Sequence, residues 1–301
     1  MTKVISITGM SGFVGRNLAE NLINNSFVIH DISMRESNWI NNLKGEAIIH
    51  LAGKAHDTKS KDDSLEYFKI NTELTVELFN EFLISDVTDF IYFSSVKAAA
   101  DQVESVLFEN VIPNPTTPYG QSKLKAEEYI LSKEIPSGKR VFIIRPCMIH
   151  GPGNKGNLNL LYNVVKKRIP YPLAAFQNER SFLGIDNLNF LINEILKNKE
   201  ISSGVYNFSD DEFLSTNELV EIISAVSNKK NLSFVIPKSI ILGLAKIGDL
   251  ARLPLNSETI QKLTENYRVS NQKIKTAIGI EKMPNTAKQG IEKTIISFIN
   301  K

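Results

Sequence analysis

ITGMSGFVG, residues 7–15, leads straight from an apolar run, VISIT (4–8), into a segment of helical periodicity that continues to residue 24. Three glycines, Gly9, Gly12 and Gly15, punctuate the junction. A tight strand-to-helix turn needs one glycine, close approach of the backbone to a pyrophosphate a second, and tight packing of helix on strand a third. The first turn of the helix then offers unpaired N–H groups and a partial positive charge to phosphates. The spacing is GxxGxxG, one residue longer than GxGxxG. A glycine triplet alone also fits a tight turn with nothing bound, and it is the strand before and helix after that favour a dinucleotide cradle. Asp31, 22 residues beyond Gly9, closes the next apolar run, FVIHD (27–31). A carboxylate there accepts hydrogen bonds from an adenosine ribose and repels a 2′-phosphate, which favours NAD. A turn or cap role is the alternative, and Arg35 nearby is placed to recruit the extra phosphate of NADP.

Outward from the loop, short β-rich runs alternate with longer helical stretches. AIIHLA (47–52), DFIYFSS (89–95) and RVFIIRP (140–146) read as further strands, with helices predicted over 12–24, 64–85 and 118–133. The runs are apolar almost throughout, as in strands covered on both faces, and the alternation implies right-handed crossovers. The fold class expected is α/β, a doubly wound parallel sheet, whose ligands bind beyond the carboxyl ends of the strands. After residue 146 the regularity loosens. PCMIHGPGNKGN (146–157) reads as a long loop, followed by a helix near 158–168 and short strands at RSFLGID (180–186) and VYNFS (205–209). Helices are predicted at 187–198, 215–226 and 285–299. This predicts a dinucleotide-binding domain over 1–150 and a smaller α/β substrate domain over 151–301, with segments near 180–210 returning to the main sheet.

Hydrophobic residues make up 42% of the 301 and charged residues 23%, with a formal charge of +2 from 35 basic and 33 acidic side chains. That balance is globular, and no basic block points to nucleic acid. Cys147 is the only cysteine, which excludes an internal disulfide and a cysteine metal cluster. The N-terminus enters a strand directly, without an apolar signal region. SIILGLAKIGDLARL (239–253) is too short and too charged to span a membrane and suits an amphipathic helix. A soluble cytoplasmic protein is expected. His30 and His50 read as packed strand residues, His150 as part of a loop, and His56 as a residue able to touch a substrate; no histidine or carboxylate pattern predicts a metal.

TPYGQSKLK (117–125) places Tyr119 and Lys123 four apart on one helical face, behind a proline suited to a helix start. A free tyrosine titrates near 10, roughly, and a neighbouring ammonium favours its phenolate. The spacing alone is common in ordinary helices. Beside TGMSGFVG (8–15), HLAG (50–53) and FSSVKA (93–98), however, PYGQSK resembles the extended short-chain dehydrogenase/reductase family, in particular its bacterial nucleotide-sugar epimerases and 4-ketosugar reductases. RPCMIHGPG (145–153), NERSFLGIDNL (178–188) and YRVSNQKIKTAIG (267–279) extend the resemblance over nearly the whole chain.

The resemblance implies a Rossmann fold and the following roles. Tyr119 is the acid/base, Lys123 holds the nicotinamide ribose and tunes Tyr119, and Ser95 hydrogen-bonds the C4 oxygen, with Ser94 its easily confused neighbour. The cofactor is gripped by Ser11, Phe13 and Val14 between the glycines, by Leu51, Ala52 and Gly53 after the third strand, by Asn71, and by Pro146. On the substrate side Arg180 grips a diphosphate, and Lys97, Asn157, Leu158, Pro172 and Leu173 line the nucleotide sugar. A UDP-sugar is the implied partner, NAD the cofactor with NADP open, and a homodimer through paired helices the implied assembly.

Three departures refine this. Val96 and Lys97 follow Ser95 where sugar 4,6-dehydratases carry an Asp-Glu pair, so elimination across C5–C6 is not expected. Only 19 positions separate Asp31 from His50, too few for the extra strand that relatives place there. Met148 stands where epimerases often have asparagine. The reading that results is reduction of a UDP-4-keto-6-deoxy, N-acetylated sugar for surface polysaccharide synthesis. The alternatives are a UDP-sugar 4-epimerase and a non-catalytic nucleotide sensor on the same fold.

Overall fold

The computed structural model describes residues 3–36, 38–55, 62–154, 156–230, 232–251 and 256–300. Its strands are β1 (Val4–Thr8), β2 (Val28–Ile32), β3 (Ala47–His50), β4 (Asp89–Phe93), β5 (Val106–Leu107), β6 (Arg140–Pro146), β7 (Met148–His150), β8 (Arg180–Gly184), β9 (Gly204–Phe208), β10 (Phe213–Leu214) and β11 (Arg268–Val269). Its helices are α1 (Phe13–Asn24), α2 (Asp62–Tyr67), α3 (Leu74–Ile84), α4 (Pro118–Leu131), α5 (Asn157–Lys166), α6 (Ile185–Lys197), α7 (Thr216–Val226), α8 (Lys238–Ala251), α9 (Ser257–Thr264), α10 (Gln272–Ile278) and α11 (Ala287–Ile299).

Six strands form one parallel sheet in the order β2-β1-β3-β4-β6-β9. The order reverses at β1, so the crevice above β1 and β3 is the topological switch point of a doubly wound sheet. Side chains on β4 alternate between two cores, which explains the unbroken apolar run Phe90–Phe93 that follows Asp89. Ile91 and Phe93 pack with α1 and α6 on one face, through Leu18, Leu22, Leu188 and Ile192. Phe90 and Tyr92 pack on the other face with Leu78, Phe79 and Phe82 of α3 and with Ala126 and Ile130 of α4.

A third core joins α5, α7, α8 and α11 to β8, around Tyr162, Phe182, Ile223 and Ile291. Gly204–Phe208 pairs with β6 as the last strand of the main sheet, whereas Arg180–Gly184 lies between β7 and β10 in a separate three-stranded sheet. The stretch 146–157, expected to be a loop, contains β7. His150 is accordingly buried in a strand, its Nδ1 2.9 Å from Thr294 Oγ1, because three residues ahead of the Gly-Pro turn pair with β8. The helix expected over 64–85 is also interrupted: α2 and α3 are joined by a π-helical turn at Phe68–Glu73. Between Asp31 and His50 the described residues contain a 3₁₀ turn, Trp39–Asn42, and no further strand, so β2 forms the edge of the sheet.

Candidate active site

The glycine loop is held by its own packing. Gly9 has φ +73°, and a Cβ there would lie 2.7 Å from Ala52 N, so the loop presses directly on the chain leaving β3. A Cβ at Gly15 would lie 2.5 Å from Gly9 O and 2.6 Å from Met10 Cα, so this glycine lets the first turn of α1 close onto the loop itself. Gly12 differs: a Cβ there would meet only Gly9 O, at 3.3 Å. The space over Gly12, the residue that caps α1, is the cradle that a side chain would fill, and it fits a pyrophosphate. Ser11 is exposed, Phe13 and Val14 are partly buried against the core, and Asp31 is exposed on β2 opposite Ile7, one residue short of the strand end. Pro146 ends β6, paired with Phe208.

Thr117 caps α4, accepting from Gly120 N at 3.2 Å, and Pro118 follows in the first turn. Asp101 anchors this helix start by accepting from Thr116 Oγ1 at 2.8 Å and from Thr117 N and Oγ1 at 3.1 and 3.0 Å. Those bonds hold its carboxyl below the ordinary range despite partial burial. A Cβ at Gly120 would lie 2.5 Å from Lys97 O, so this glycine lets α4 touch the turn that begins at Ser95. Tyr119, partly exposed, stacks edge-on against Tyr67 at 6.0 Å between ring centroids.

One turn on, Lys123 is buried, and its Nζ donates to Phe93 O at 2.9 Å and sits 5.0 Å from the centroid of the Tyr92 ring. Burial lowers its pKa to about 8, with Glu127 opposing the shift. Glu127, one further turn along, forms a buried ion pair with Arg145 on β6, whose Nε lies 3.0 and 3.1 Å from the two carboxylate oxygens. Ser94 Oγ donates to the same carboxylate. This separates the two serines: Ser94 faces the ion pair, while Ser95 Oγ accepts from Lys97 N at 3.2 Å and caps the turn beside α4.

Asn71 lies in the π-helical turn, fully buried. Its Oδ1 accepts from Lys54 N at 2.8 Å, and its Nδ2 donates to Lys54 O at 3.0 Å and to Ser122 Oγ at 3.0 Å. It therefore ties the chain after β3 to α4. A Cβ on Gly53 would lie 3.0 Å from Asn71 Oδ1 and 3.2 Å from Lys123 Nζ. His50 is buried between Thr8 Oγ1 at 2.7 Å and Thr75 Oγ1 at 2.9 Å, and burial lowers its pKa to about 3, which keeps the ring neutral.

Farther out, Lys97 Nζ donates to Asp101 O at 2.6 Å and lies 4.1 Å from the centroid of the Tyr267 ring. Arg180 is largely buried at the start of β8, with Glu265, Tyr267 and Cys147 beside it. Leu158 and Leu173, expected to line a substrate, are 2% exposed and belong to the third core. Asn157 is exposed at the start of α5 and Pro172 is half-buried. His56 lies outside the described residues. Among the described residues no group of His, Cys, Asp and Glu forms a metal site. Sequence reasoning missed Glu127, Arg145, Asp101 and Gly120; only Gly120, directly after the tyrosine inside a helix, carried a local signal.

The doubly wound sheet and its glycine loop mark a dinucleotide-dependent enzyme. The chain belongs to the NAD dependent epimerase/dehydratase family, whose model matches residues 5–207. It is 28% identical over 323 residues to a UDP-glucose 4-epimerase of Vibrio cholerae, covering 99% of this chain and 96% of the relative. It is also 28% identical over 248 residues to a GDP-6-deoxy-D-mannose reductase of Pseudomonas aeruginosa, covering 75% of this chain and 81% of that one. The structure of RMD from Pseudomonas aeruginosa complexed with NADPH superposes with a TM-score of 0.78 at 22% identity, covering 100% of both chains.

Proposed function

We propose that the chain reduces the 4-keto group of a UDP-linked 6-deoxy, N-acetylated sugar, with residues 1–150 as the cofactor-binding unit, 151–301 as the substrate side, and the cytoplasm as its setting. The observation that carries the C4 chemistry is the buried Lys123 ammonium at the end of β4, one helical turn from Tyr119 and beside the Ser95 turn. A bound nicotinamide dinucleotide supplies the hydride exchange. The turn from Gly9 to Gly15 holds its pyrophosphate, Asp31 its adenosine ribose, and Lys123 its nicotinamide ribose, with Leu51, Ala52, Gly53 and Pro146 along its length. Tyr119 gives its phenolic proton to the C4 oxygen, Ser95 hydrogen-bonds the same atom, and the Lys123 charge stabilises the phenolate that remains. Arg180 binds the diphosphate. Asn71, its amide engaged by Lys54 and Ser122, is a positioning residue.

The bare sheet edge at β2 favours reduction over epimerisation. A reductase must exchange its cofactor at every turnover, and the segment between β2 and β3 contributes, among the described residues, a 3₁₀ turn at Trp39–Asn42 and no strand beside the adenine end. The second reading, a UDP-sugar 4-epimerase that keeps its NAD, is supported by the nearly full-length relative from Vibrio cholerae. The test supplies a UDP-4-keto-6-deoxy-N-acetylhexosamine with NADH or NADPH and follows loss of the reduced nicotinamide absorbance. Consumption supports the reductase. Copurifying NAD, with interconversion of UDP-N-acetylhexosamines and no added cofactor, establishes the epimerase.

A pH dependence follows from Lys123. The ammonium is the working form, so kcat/KM is expected to fall as pH rises through about 8, and a pH–rate profile checks it. Stability moves the other way. Between about 8 and the ordinary value of 10.5 the unfolded chain carries a proton that the folded chain has lost, so unfolding free energy rises with pH there.

A further inference from the structure

We propose that α8 and the strip beside it form a docking surface for an anionic lipid bilayer, a role beyond the C4 chemistry. A helix on a protein surface normally turns polar residues outward, and α8 does not. Ile241 and Ala245 face the third core, yet Ile240, Leu244, Ile247 and Leu250 on the outer side are 53%, 49%, 60% and 89% exposed. The patch continues into the segment before the helix, where Phe234 is 52% and Val235 78% exposed. That segment runs along 171–173: Phe234 N donates to Tyr171 O at 2.9 Å, and Leu173 bridges to Val235. A contiguous apolar surface of this kind marks an interaction site.

Its charge identifies the partner. Residues 151–178 contain Lys155, Lys166, Lys167 and Arg168 and no acidic residue; residues 222–248 contain Lys229, Lys230, Lys238 and Lys246 and again none. In a chain with nearly equal numbers of acids and bases, these two stretches are purely cationic, and the fold places them together: Arg168 and Lys230 line one cleft. The first acid after them, Asp249, accepts from Ser257 N at 2.9 Å and Oγ at 2.6 Å and is thereby turned toward α9. Exposed aliphatic side chains on a helix that carries Lys238 and Lys246, in a stretch without acids, match an interface where hydrocarbon lies beneath anionic headgroups. A second copy on the same face would set like charges against each other. Nucleic acid would satisfy the cations but leave the aliphatic side chains without a partner. Among the described residues no helix is long and apolar enough to cross a membrane, so the contact is peripheral.

The experiment is sedimentation of the full chain with vesicles of phosphatidylcholine alone or mixed with phosphatidylglycerol. Binding is expected to the mixed vesicles, to be reversed by salt, and to be weak with phosphatidylcholine alone. Ile247→Asp with Leu250→Asp, and separately Lys229→Glu with Lys230→Glu, are each expected to lower partitioning at least about tenfold. All four positions lie outside the catalytic set, and turnover of a water-soluble UDP-sugar reports that each variant is folded. If the apolar pair fails to fold, the lysine pair carries the test. Equal sedimentation with both vesicle types, or with neither, overturns the proposal. So does light scattering that shows a dimer which the apolar-face variant dissolves, or retention on an oligonucleotide in preference to the vesicles.

Discussion

Tyr119→Phe is expected to lower kcat by about 10²–10⁴-fold while NAD binding changes by no more than about threefold. The substitution removes one oxygen and keeps the ring, so the edge-on contact with Tyr67 at 6.0 Å and the packing of α4 survive. What is lost is the group that, in the proposed reaction, exchanges a proton with the C4 oxygen. Lys123→Met is the informative companion, because in the proposed reaction its ammonium serves both the phenolate and the nicotinamide ribose, so kcat and cofactor affinity should fall together. Steady-state kinetics with dinucleotide binding by fluorescence separates the two variants. Turnover by Tyr119→Phe within a few-fold of the parent would remove Tyr119 from the mechanism.

Glu127→Gln is expected to destabilise the fold by about 3–5 kcal/mol, because it leaves the Arg145 guanidinium buried without its counter-charge. The carboxylate is fully buried and accepts from Arg145 and Ser94, so no water is at hand to replace it. A second consequence follows along the same helix. Glu127 raises the pKa of Lys123 against the effect of burial, so its neutralisation should move the alkaline fall in activity to lower pH. Urea unfolding measures the first effect and a pH–rate profile the second. Arg145→Met, which keeps the carboxylate, should reproduce the destabilisation without the acid-ward move.

The parts legible in the sequence are those written in short-range patterns. VISIT, RVFIIRP and the helix from Pro118 announce themselves by apolar runs and a proline at a helix start, and the glycine loop by its spacing. The alignment of Tyr119, Lys123 and Glu127 follows from the helical period, but the meaning of Glu127 depends on Arg145, 18 positions away on another element. No local pattern reveals that pairing. Ser94 and Ser95 were indistinguishable for the same reason: adjacent residues leaving a strand point opposite ways, and only the ion pair on one side tells them apart. The strand at Met148–His150 was hidden because three residues before Gly-Pro read as loop, and its partner, β8, lies 34 positions beyond Met148 at Phe182. Leu158 and Leu173 resembled ligand-lining positions, but the third core claims their side chains.

The π-helical turn at Phe68–Glu73 carries an evolutionary implication. A π-turn is an α-helix that has accepted one extra residue, and such insertions concentrate at functional sites because the regular helix would be the more stable form. Deleting a single residue within this turn should restore one unbroken helix from α2 to α3 and re-aim the side chains of the turn itself, while those of α2 and α3 keep their faces. The helix would gain regularity, yet the amide of Asn71 would no longer reach both the Lys54 backbone and Ser122. A lineage that lost this residue would keep its sheet and its glycine loop while the two halves of its site came apart. The length of this segment is therefore a feature to compare among relatives, one that substitution counts do not register.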